Sequence, residues 1–197
     1  MIAGLLLAAG RSTRYGGDKL LAMLAGQPVL RWSAAAIAAE VDVLFVAVPP
    51  DSPTRRSALA GVVATIVEHA DRDEGMASTI AAGVRALPRE VDAVVIALAD
   101  QPFVSSEVVR RLCARWRTGG APAVVPRYED GPGNPVLFGR DTFDRLRRLT
   151  GDGGARGVLD SLGDAVAMVP VQGTIPADVD TPDALAALAA PAAHRLR

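Results

Sequence analysis

Short apolar runs alternate with segments of helical spacing along most of the chain. The runs have the length of strands and lie at residues 2–8, 41–48, 62–68, 93–99 and 123–126. Between them, apolar residues recur every three or four positions, which predicts helices at residues 28–39, 52–59, 76–87 and 105–117. Strand alternating with helix predicts an α/β fold in which a mostly parallel sheet is covered by helices on both faces.

The pattern becomes less regular after Pro126, in the stretch RYEDGPGNPVLFGRDTF. Glycine and proline predict a loop there, followed by a strand at residues 135–138 that could run antiparallel to the main sheet. Thr181 and Pro182 begin a last, alanine-rich helix. Without a repeat or a linker, we expect one domain over residues 1–197, a three-layer α/β/α, Rossmann-like fold with an antiparallel addition in its second half.

Composition narrows the class of partner. Half of the 197 residues are apolar and the formal net charge is -1, so the basic bias of proteins that coat nucleic acid or anionic membranes is missing. No apolar run reaches the roughly 18–20 residues that span a bilayer. The apolar start MIAGLLLAAG lacks the basic region of a signal peptide and passes into a Gly/Arg loop. We therefore expect a soluble cytoplasmic protein in which any bound anion is neutralised by a local cluster of cations.

Cysteine chemistry is not expected. Cys113 is the only cysteine and lies in the helix-like stretch SSEVVRRLCARWR, far in sequence from His69 and His194. This inventory favours a buried structural thiol over a nucleophile or a zinc ligand.

The first strand runs into a basic, glycine-rich loop, AAGRSTRYGGDK. Its glycines allow the backbone to approach an anion closely, and its cations can neutralise one: Gly10, Gly16, Gly17, Arg11, Arg14 and Lys19. The spacing fits neither G-x-x-x-x-G-K-[ST] nor G-x-G-x-x-G. The loop is either an anion site of another kind or a solvated basic turn.

Acidic residues stand where strands or loops end. Asp100 closes the apolar run IALAD, and a carboxylate there needs a cation, a metal or water. Magnesium bound to a triphosphate would suit it, although Asp100 could simply cap the next turn. The later stretch ADVDTPDAL offers Asp178, Asp180 and Asp183, of which one could cap the last helix and another could complete a metal site.

Together these motifs resemble the MobA-like NTP transferases, which include the molybdenum-cofactor cytidylyl- and guanylyltransferases. LLLAAGRSTRYGGDK is similar to their signature L-x-A-G-x-x-x-R-M-G-x-x-K, with Tyr15 in place of methionine. Similar motifs follow in the family's order: EGMASTIAAG, ALADQPFVSSEVV, GPGNPVLF, GDGGAR and DVDTPDAL. The resemblance covers almost the entire chain and implies a fold of the nucleotide-diphospho-sugar transferase type.

The resemblance implies in-line attack on the α-phosphorus of a nucleoside triphosphate, with pyrophosphate leaving. It implies catalytic roles for Arg14 and Lys19, and Mg²⁺ held by Asp100 and Asp180. The implied nucleotide-binding residues are Leu7, Ala8, Ala9, Gly10, Gly75 and Ser78. The implied acceptor-binding residues are Gln101, Asn134 and Arg156. Residue by residue, Ser78 could equally be an ordinary helix residue, Asn134 a turn residue, and Arg156 a surface cation beside Asp152.

The choice of substrates follows from the same resemblance. Ala8, Ala9 and Gly10 match the A-A-G of the cytidylyl branch, which favours CTP, whereas Gly17 and Asp18 look like the guanylyl branch. The implied acceptor is the molybdopterin cofactor, with a molybdoenzyme as a possible client. The alternatives are GTP or another NTP, a sugar or polyol phosphate as acceptor, and a non-catalytic nucleotide-binding maturation factor.

Overall fold

The structure, a computed structural model, describes residues 1–10, 12, 14–70, 75–151 and 153–195. Its strands are β1 (Ile2–Leu7), β2 (Met23–Leu24), β3 (Gln27–Pro28), β4 (Val43–Val48), β5 (Thr65–Glu68), β6 (Ala93–Leu98), β7 (Ala123–Tyr128), β8 (Gly131–Pro132), β9 (Val136–Gly139) and β10 (Val166–Pro170). Its α-helices are α1 (Val29–Ala38), α2 (Pro53–Ala58), α3 (Gly75–Arg85), α4 (Ser106–Gly119), α5 (Phe143–Leu146), α6 (Arg156–Leu162) and α7 (Pro182–Arg195).

Within the described part of the chain, eight strands form one mixed sheet in the order β10-β7-β9-β6-β1-β4-β5, with β8 paired to β7. β1 pairs parallel with both β4 and β6, and β4 pairs parallel with β5. β9 lies antiparallel between β6 and β7. The expected α/β fold with an antiparallel addition in the second half is therefore confirmed.

Helices cover both faces of the sheet. Successive residues of a strand point to opposite faces, so each buried strand packs against helices on both sides. On β1, Leu6 packs with α1 and α4 residues such as Leu30 and Leu112, whereas Leu5 packs with α3 and α5 residues such as Ile80 and Leu146. The expected three layers are confirmed. No helix in the described residues is long and apolar enough to cross a membrane.

One predicted strand begins later than its apolar run. Residues 62–64 continue the turn that follows α2, where the Val62 amide donates to the Leu59 carbonyl. β5 begins only at Thr65, which pairs with Phe45 of β4. The turn that follows α2 therefore takes up the first part of the apolar run, and the edge strand begins after it.

Helix α3 approaches β1 so closely that a methyl group does not fit at Gly83. A Cβ there would lie 2.5 Å from two side-chain carbons of Leu5. We expect Gly83→Ala to lower the free energy of unfolding by about 1–3 kcal/mol, because the clash outweighs alanine's better helix propensity. Urea denaturation would measure this change.

Gly157 in α6 provides the control for that substitution, since a Cβ there would have no heavy atom within 4 Å. Gly157→Ala should leave the free energy of unfolding unchanged or raise it by up to about 1 kcal/mol. Equal effects of the two substitutions would show that the contact between α3 and β1 does not limit the size of residue 83.

Candidate active site

The parallel strands of the sheet end along one edge, where the basic loop meets the acidic strand end. The Ala8 amide donates to the Ala47 carbonyl at 2.9 Å, and the Ala99 amide donates to the Leu7 carbonyl at 3.2 Å. These bonds continue the strand pairing by one residue, so the loop after β1 begins beside Asp100. Ligands of open α/β sheets bind at this edge.

Lys19 joins the two acidic segments. It begins a single 3-10 turn, Lys19–Leu21, whose amide at Leu20 is capped by the Asp18 carboxylate at 3.1 Å. Its Nζ donates to Asp100 Oδ2 at 2.5 Å and to Asp180 Oδ1 at 2.8 Å. The second carboxylate oxygen of Asp180 lies 2.9 Å from an Arg14 nitrogen.

Four residues that the sequence singled out are thus brought together: Arg14, Lys19, Asp100 and Asp180. Asp180 reaches this position because the Val179 amide donates to the Asp100 carbonyl at 2.8 Å, which fixes the last acidic segment against the end of β6. Helix α7 starts just after it and is capped by the Thr181 hydroxyl, which accepts from the Ala184 amide at 3.2 Å. The cap is therefore Thr181 and not one of the nearby aspartates.

The cluster shifts the ionisation of its members in a consistent direction. Burial by itself lowers the pKa of Lys19, but the hydrogen bonds and negative charges of Asp100 and Asp180 outweigh it and raise that pKa. The hydrogen bond from Lys19 lowers the pKa of Asp180. Both shifts favour the charged forms, an ammonium at Lys19 and an ionised carboxylate at Asp180, near neutral pH.

This donor set fits a divalent metal that is also held by a substrate. Two carboxylates converge on one cationic group, and magnesium commonly takes one or two carboxylates together with phosphate oxygens. Among the described residues, no group of three or more His, Cys, Asp or Glu side chains could hold a metal by itself. The arrangement suits a metal that arrives with a phosphorylated ligand.

Asp178 lies in a different setting from Asp180. Burial raises the pKa of Asp178, with a further contribution from the charge of Asp100, and its side chain is hydrogen-bonded to Gln101. Gln101 is itself only 4% exposed and donates to the Pro176 carbonyl at 3.3 Å. The buried side chain of Gln101 therefore holds the segment before Asp180 through Asp178 and the Pro176 carbonyl.

Ser78 lies at the start of α3, as the sequence indicated. Its hydroxyl donates to the Gly75 carbonyl at 2.9 Å and lies 2.9 Å from His69 Nε2. His69 follows β5 and is buried, with its amide donating to the Val48 carbonyl. No sequence motif indicates His69, and only its position directly after a strand distinguishes it.

A cleft of about 840 Å³ opens beside the end of β1, over β6, β9 and α6. Leu7, Asn134 and Arg156 line it, so two of the three predicted acceptor residues share one cavity with a residue of the predicted nucleotide site. Gln101 is not among the described residues that line this cleft. The Asn134 carbonyl accepts from the Tyr128 hydroxyl at 2.9 Å, and the Asn134–Pro135 peptide is cis.

One charged residue of this region, Arg55 of α2, stands in no recognisable motif. Its guanidinium is buried and contacts Asp18 and the backbone of the loop after β1. The sequence RRSAL gives no reason to distinguish Arg55 from Arg56. The cation at Arg11 and the carboxylate at Asp152 lie outside the described residues.

Cys113 lies away from this site, in α4. Burial raises the pKa of its thiol to about 11, so the thiolate is scarce near neutral pH. Its position agrees with a structural role.

Comparisons with known proteins identify nucleotidyltransferases as relatives of this chain. The chain is 37% identical over 125 residues to the molybdenum cofactor guanylyltransferase of Cereibacter sphaeroides, a match that spans 62% of this chain and 61% of that protein. It is 36% identical over 129 residues to 2-C-methyl-D-erythritol 4-phosphate cytidylyltransferase of the same species, spanning 62% of this chain and 57% of that protein. Each of these matches thus spans less than two thirds of the curated relative's length.

Solved structures extend the likeness to nearly the whole chain. Rv0371c from Mycobacterium tuberculosis H37Rv superposes with a TM-score of 0.85 at 31% identity, over 96% of this chain and 97% of that one. A second Rv0371c structure, a complex with manganese, gives a TM-score of 0.81 at 30% identity, covering 96% and 98%. The profile of the MobA-like NTP transferase domain matches residues 4–166. The chain therefore belongs to the family of MobA-like NTP transferase domains, as this match, the likeness over the whole chain and the cluster of Arg14, Lys19, Asp100 and Asp180 indicate together.

Proposed function

We propose that the protein transfers CMP from CTP to the molybdopterin cofactor, releasing pyrophosphate with the help of Mg²⁺. The observation that carries the proposal is the bridge made by Lys19 between Asp100 and Asp180, directly beside the loop after β1. Cations and metal-binding carboxylates at a strand edge are the groups that nucleotidyl transfer needs, since such chemistry asks mainly for positioning and charge stabilisation.

In this proposal, the chain's own residues bind and neutralise the triphosphate. Backbone amides near Ala9 and Gly10 bind phosphate oxygens, and Lys19 and Arg14 offset negative charge on the α-phosphoryl group and the leaving pyrophosphate. Arg14 is suited to this role because its side chain is 75% exposed and lies 2.9 Å from Asp180 at the proposed metal site.

Asp100 and Asp180 would hold the metal, which when bound lowers the charge of the phosphates and orients them. Asp180 is favoured over Asp178 because it shares Lys19 with Asp100, whereas Asp178 is hydrogen-bonded to Gln101. Magnesium is the metal proposed here. The manganese bound to Rv0371c makes Mn²⁺ a reasonable substitute.

CTP is proposed as donor on the resemblance of Ala8, Ala9 and Gly10 to the cytidylyl branch. Ala8 and Ala9 are buried, at 0% and 2% exposure, so larger changes there would alter the floor of the nucleotide site. Ser78 and the backbone near Gly75 would contact the base or ribose. Relatives whose names specify guanylyl and cytidylyl transfer match this chain about equally well.

The cleft beside Leu7 supports molybdopterin as acceptor. Its walls are mostly aliphatic, with Asn134 and Arg156 among the few polar side chains. A flat heterocycle with one phosphate suits such walls, and the Arg156 guanidinium can hold a phosphate with its planar fork. A polyol phosphate would need more hydrogen-bonding partners. The erythritol-phosphate relatives nevertheless make it the second candidate.

Pyrophosphate release tests the proposal. The chain is incubated with Mg²⁺, each of the four NTPs and either molybdopterin or 2-C-methyl-D-erythritol 4-phosphate. We expect release with CTP and molybdopterin at least about tenfold faster than with any other pair, a difference of about 1.4 kcal/mol in activation free energy. The chelator EDTA should abolish the release.

Other outcomes of this screen discriminate among the alternatives. Faster release with GTP would contradict the base assignment, and faster release with the polyol phosphate would contradict the acceptor assignment. Tight CTP binding without release for any acceptor would identify a non-catalytic nucleotide-binding factor.

A further inference from the structure

Arg55 lies under the loop that follows β1 and contacts it at several points. Its side chain is 6% exposed, although Arg56, the next residue of α2, has a side chain that is 44% exposed. The Arg55 guanidinium donates from Nη1 to the Ala8 carbonyl and from Nη2 to the Gly10 carbonyl, the latter at 2.9 Å. Its Nε donates to Asp18 Oδ2 at 2.7 Å.

These contacts determine the orientation of the loop's peptide groups. In a planar trans peptide, the C=O and the N–H that follows it point in opposite directions. A carbonyl of Ala8 that faces Arg55 therefore turns the Ala9 amide away from Arg55. The second bond holds the Gly10 carbonyl, two residues further on, toward Arg55 as well. A single guanidinium therefore fixes the direction of two carbonyls of the loop.

The same guanidinium also connects this loop to Lys19. Asp18 accepts from Arg55 with one oxygen and caps the 3-10 turn of Lys19 with the other, through the Leu20 amide. Asp18 thereby compensates the buried charge of Arg55, as a buried cation requires. The backbone near Ala9 and the ammonium of Lys19, the two proposed phosphate-binding elements, are thus held by one ion pair.

We propose that Arg55 is a positioning residue for nucleotide transfer, which orients the amides of the loop after β1 toward the triphosphate without touching it. The inference rests on the proposed function, because the Ala9 amide that Arg55 orients is one of those assigned to the phosphates. Arg55 acts on the phosphate end of the nucleotide, so its importance should grow with the number of phosphates bound.

The variants Arg55→Met and Arg55→Lys test this role against Arg56→Met. Methionine retains much of the length of the side chain but donates no hydrogen bonds, so two carbonyls and Asp18 lose their partner. Lysine keeps the charge but lacks the planar fork that reaches three acceptors at once. Arg56 pairs with Glu68 on the exposed side of the same helix, so Arg56→Met removes an equal charge without affecting the loop.

The measurement is the dissociation constant of CTP, CDP and CMP with Mg²⁺ for each variant, by titration calorimetry, together with urea denaturation. We expect Arg55→Met to weaken the binding of CTP at least about 30-fold, that of CDP by a smaller factor, and that of CMP by no more than about threefold. Arg55→Lys should show the same order with smaller factors, and Arg56→Met should bind all three within twofold of the unaltered chain.

Equal weakening of the three nucleotides by both Arg55 variants would overturn the inference, because a merely structural role has no reason to follow the phosphate count. Unchanged binding in both variants would overturn it as well. If Arg55→Met does not fold, the graded or ungraded pattern of Arg55→Lys decides the question. Failure of the unaltered chain to bind any nucleotide would contradict the proposed function itself, which distinguishes the two failures.

Discussion

Replacing Lys19 with methionine is expected to lower the rate of pyrophosphate release by about 10³-fold, the size of effect seen when a charge that stabilises a phosphoryl-transfer transition state is removed. The Lys19 ammonium contacts both Asp100 and Asp180, and its side chain is only 13% exposed, so its charge acts in a poorly solvated place. Methionine fills similar space without the charge. Single-turnover kinetics at saturating CTP would measure the effect on the chemical step.

The matched control for Lys19→Met is Arg110→Met, which removes a positive charge from the exposed surface of α4, where Arg110 pairs with Glu107. That variant should retain the rate within about twofold. Lys19 is the only lysine in the sequence, so the ε-ammonium resonance of the unaltered chain can be followed individually by NMR. An unchanged resonance on addition of Mg²⁺ and CTP, or an unchanged rate in Lys19→Met, would contradict its assignment to the site.

Replacing Asp100 with asparagine should have an effect as large, by a different route. The amide is nearly isosteric but carries no charge, so both the metal and the Lys19 ammonium lose a partner. We expect the rate at fixed Mg²⁺ to fall by about 10³-fold and the Mg²⁺ concentration for half-maximal rate to rise at least about tenfold. Titration of Mg²⁺ in the pyrophosphate assay measures both quantities.

The same Mg²⁺ titration distinguishes Asp180→Asn from Asp178→Asn. Asp180 shares Lys19 with Asp100, so its substitution should resemble Asp100→Asn in the metal requirement. Asp178 is hydrogen-bonded to Gln101, so its substitution should leave the Mg²⁺ requirement within about threefold. A larger shift for Asp178 than for Asp180 would reverse the assignment of the second carboxylate.

Strong local patterns predicted most of the fold. The apolar runs of β1, β4 and β6 are buried on both faces of the sheet, so their sequences are almost uninterrupted by polar residues and easily recognised. β10 was not predicted, because this strand at the end of the sheet is mostly partly buried or exposed and its sequence VAMVP lacks a clear alternation. The start of β5 was predicted too early, because the apolar run does not reveal where the turn after α2 ends.

The site was predictable to the extent that its residues stand in motifs. Lys19, Asp100 and Asp180 each stand in a recognisable stretch, and the expectation that they serve one site was reasonable from their positions at strand and loop ends. Arg55 and His69 act through contacts with backbone and side chains far away in sequence, and no spacing rule identifies such residues. The sequence also placed Gln101 with Asn134 and Arg156, although its side chain is buried beside Pro176.

The hydrogen bond from the Val179 amide to the Asp100 carbonyl has a consequence for how the protein is assembled. The family match ends at residue 166, yet Asp180 lies beyond it and is brought to the site by this bond. The carboxylate pair is therefore complete only when the segment following β10 is docked against the end of β6. A metal and nucleotide bound by that pair would stabilise the completed chain by mass action and would not stabilise a partly folded sheet that lacks the segment.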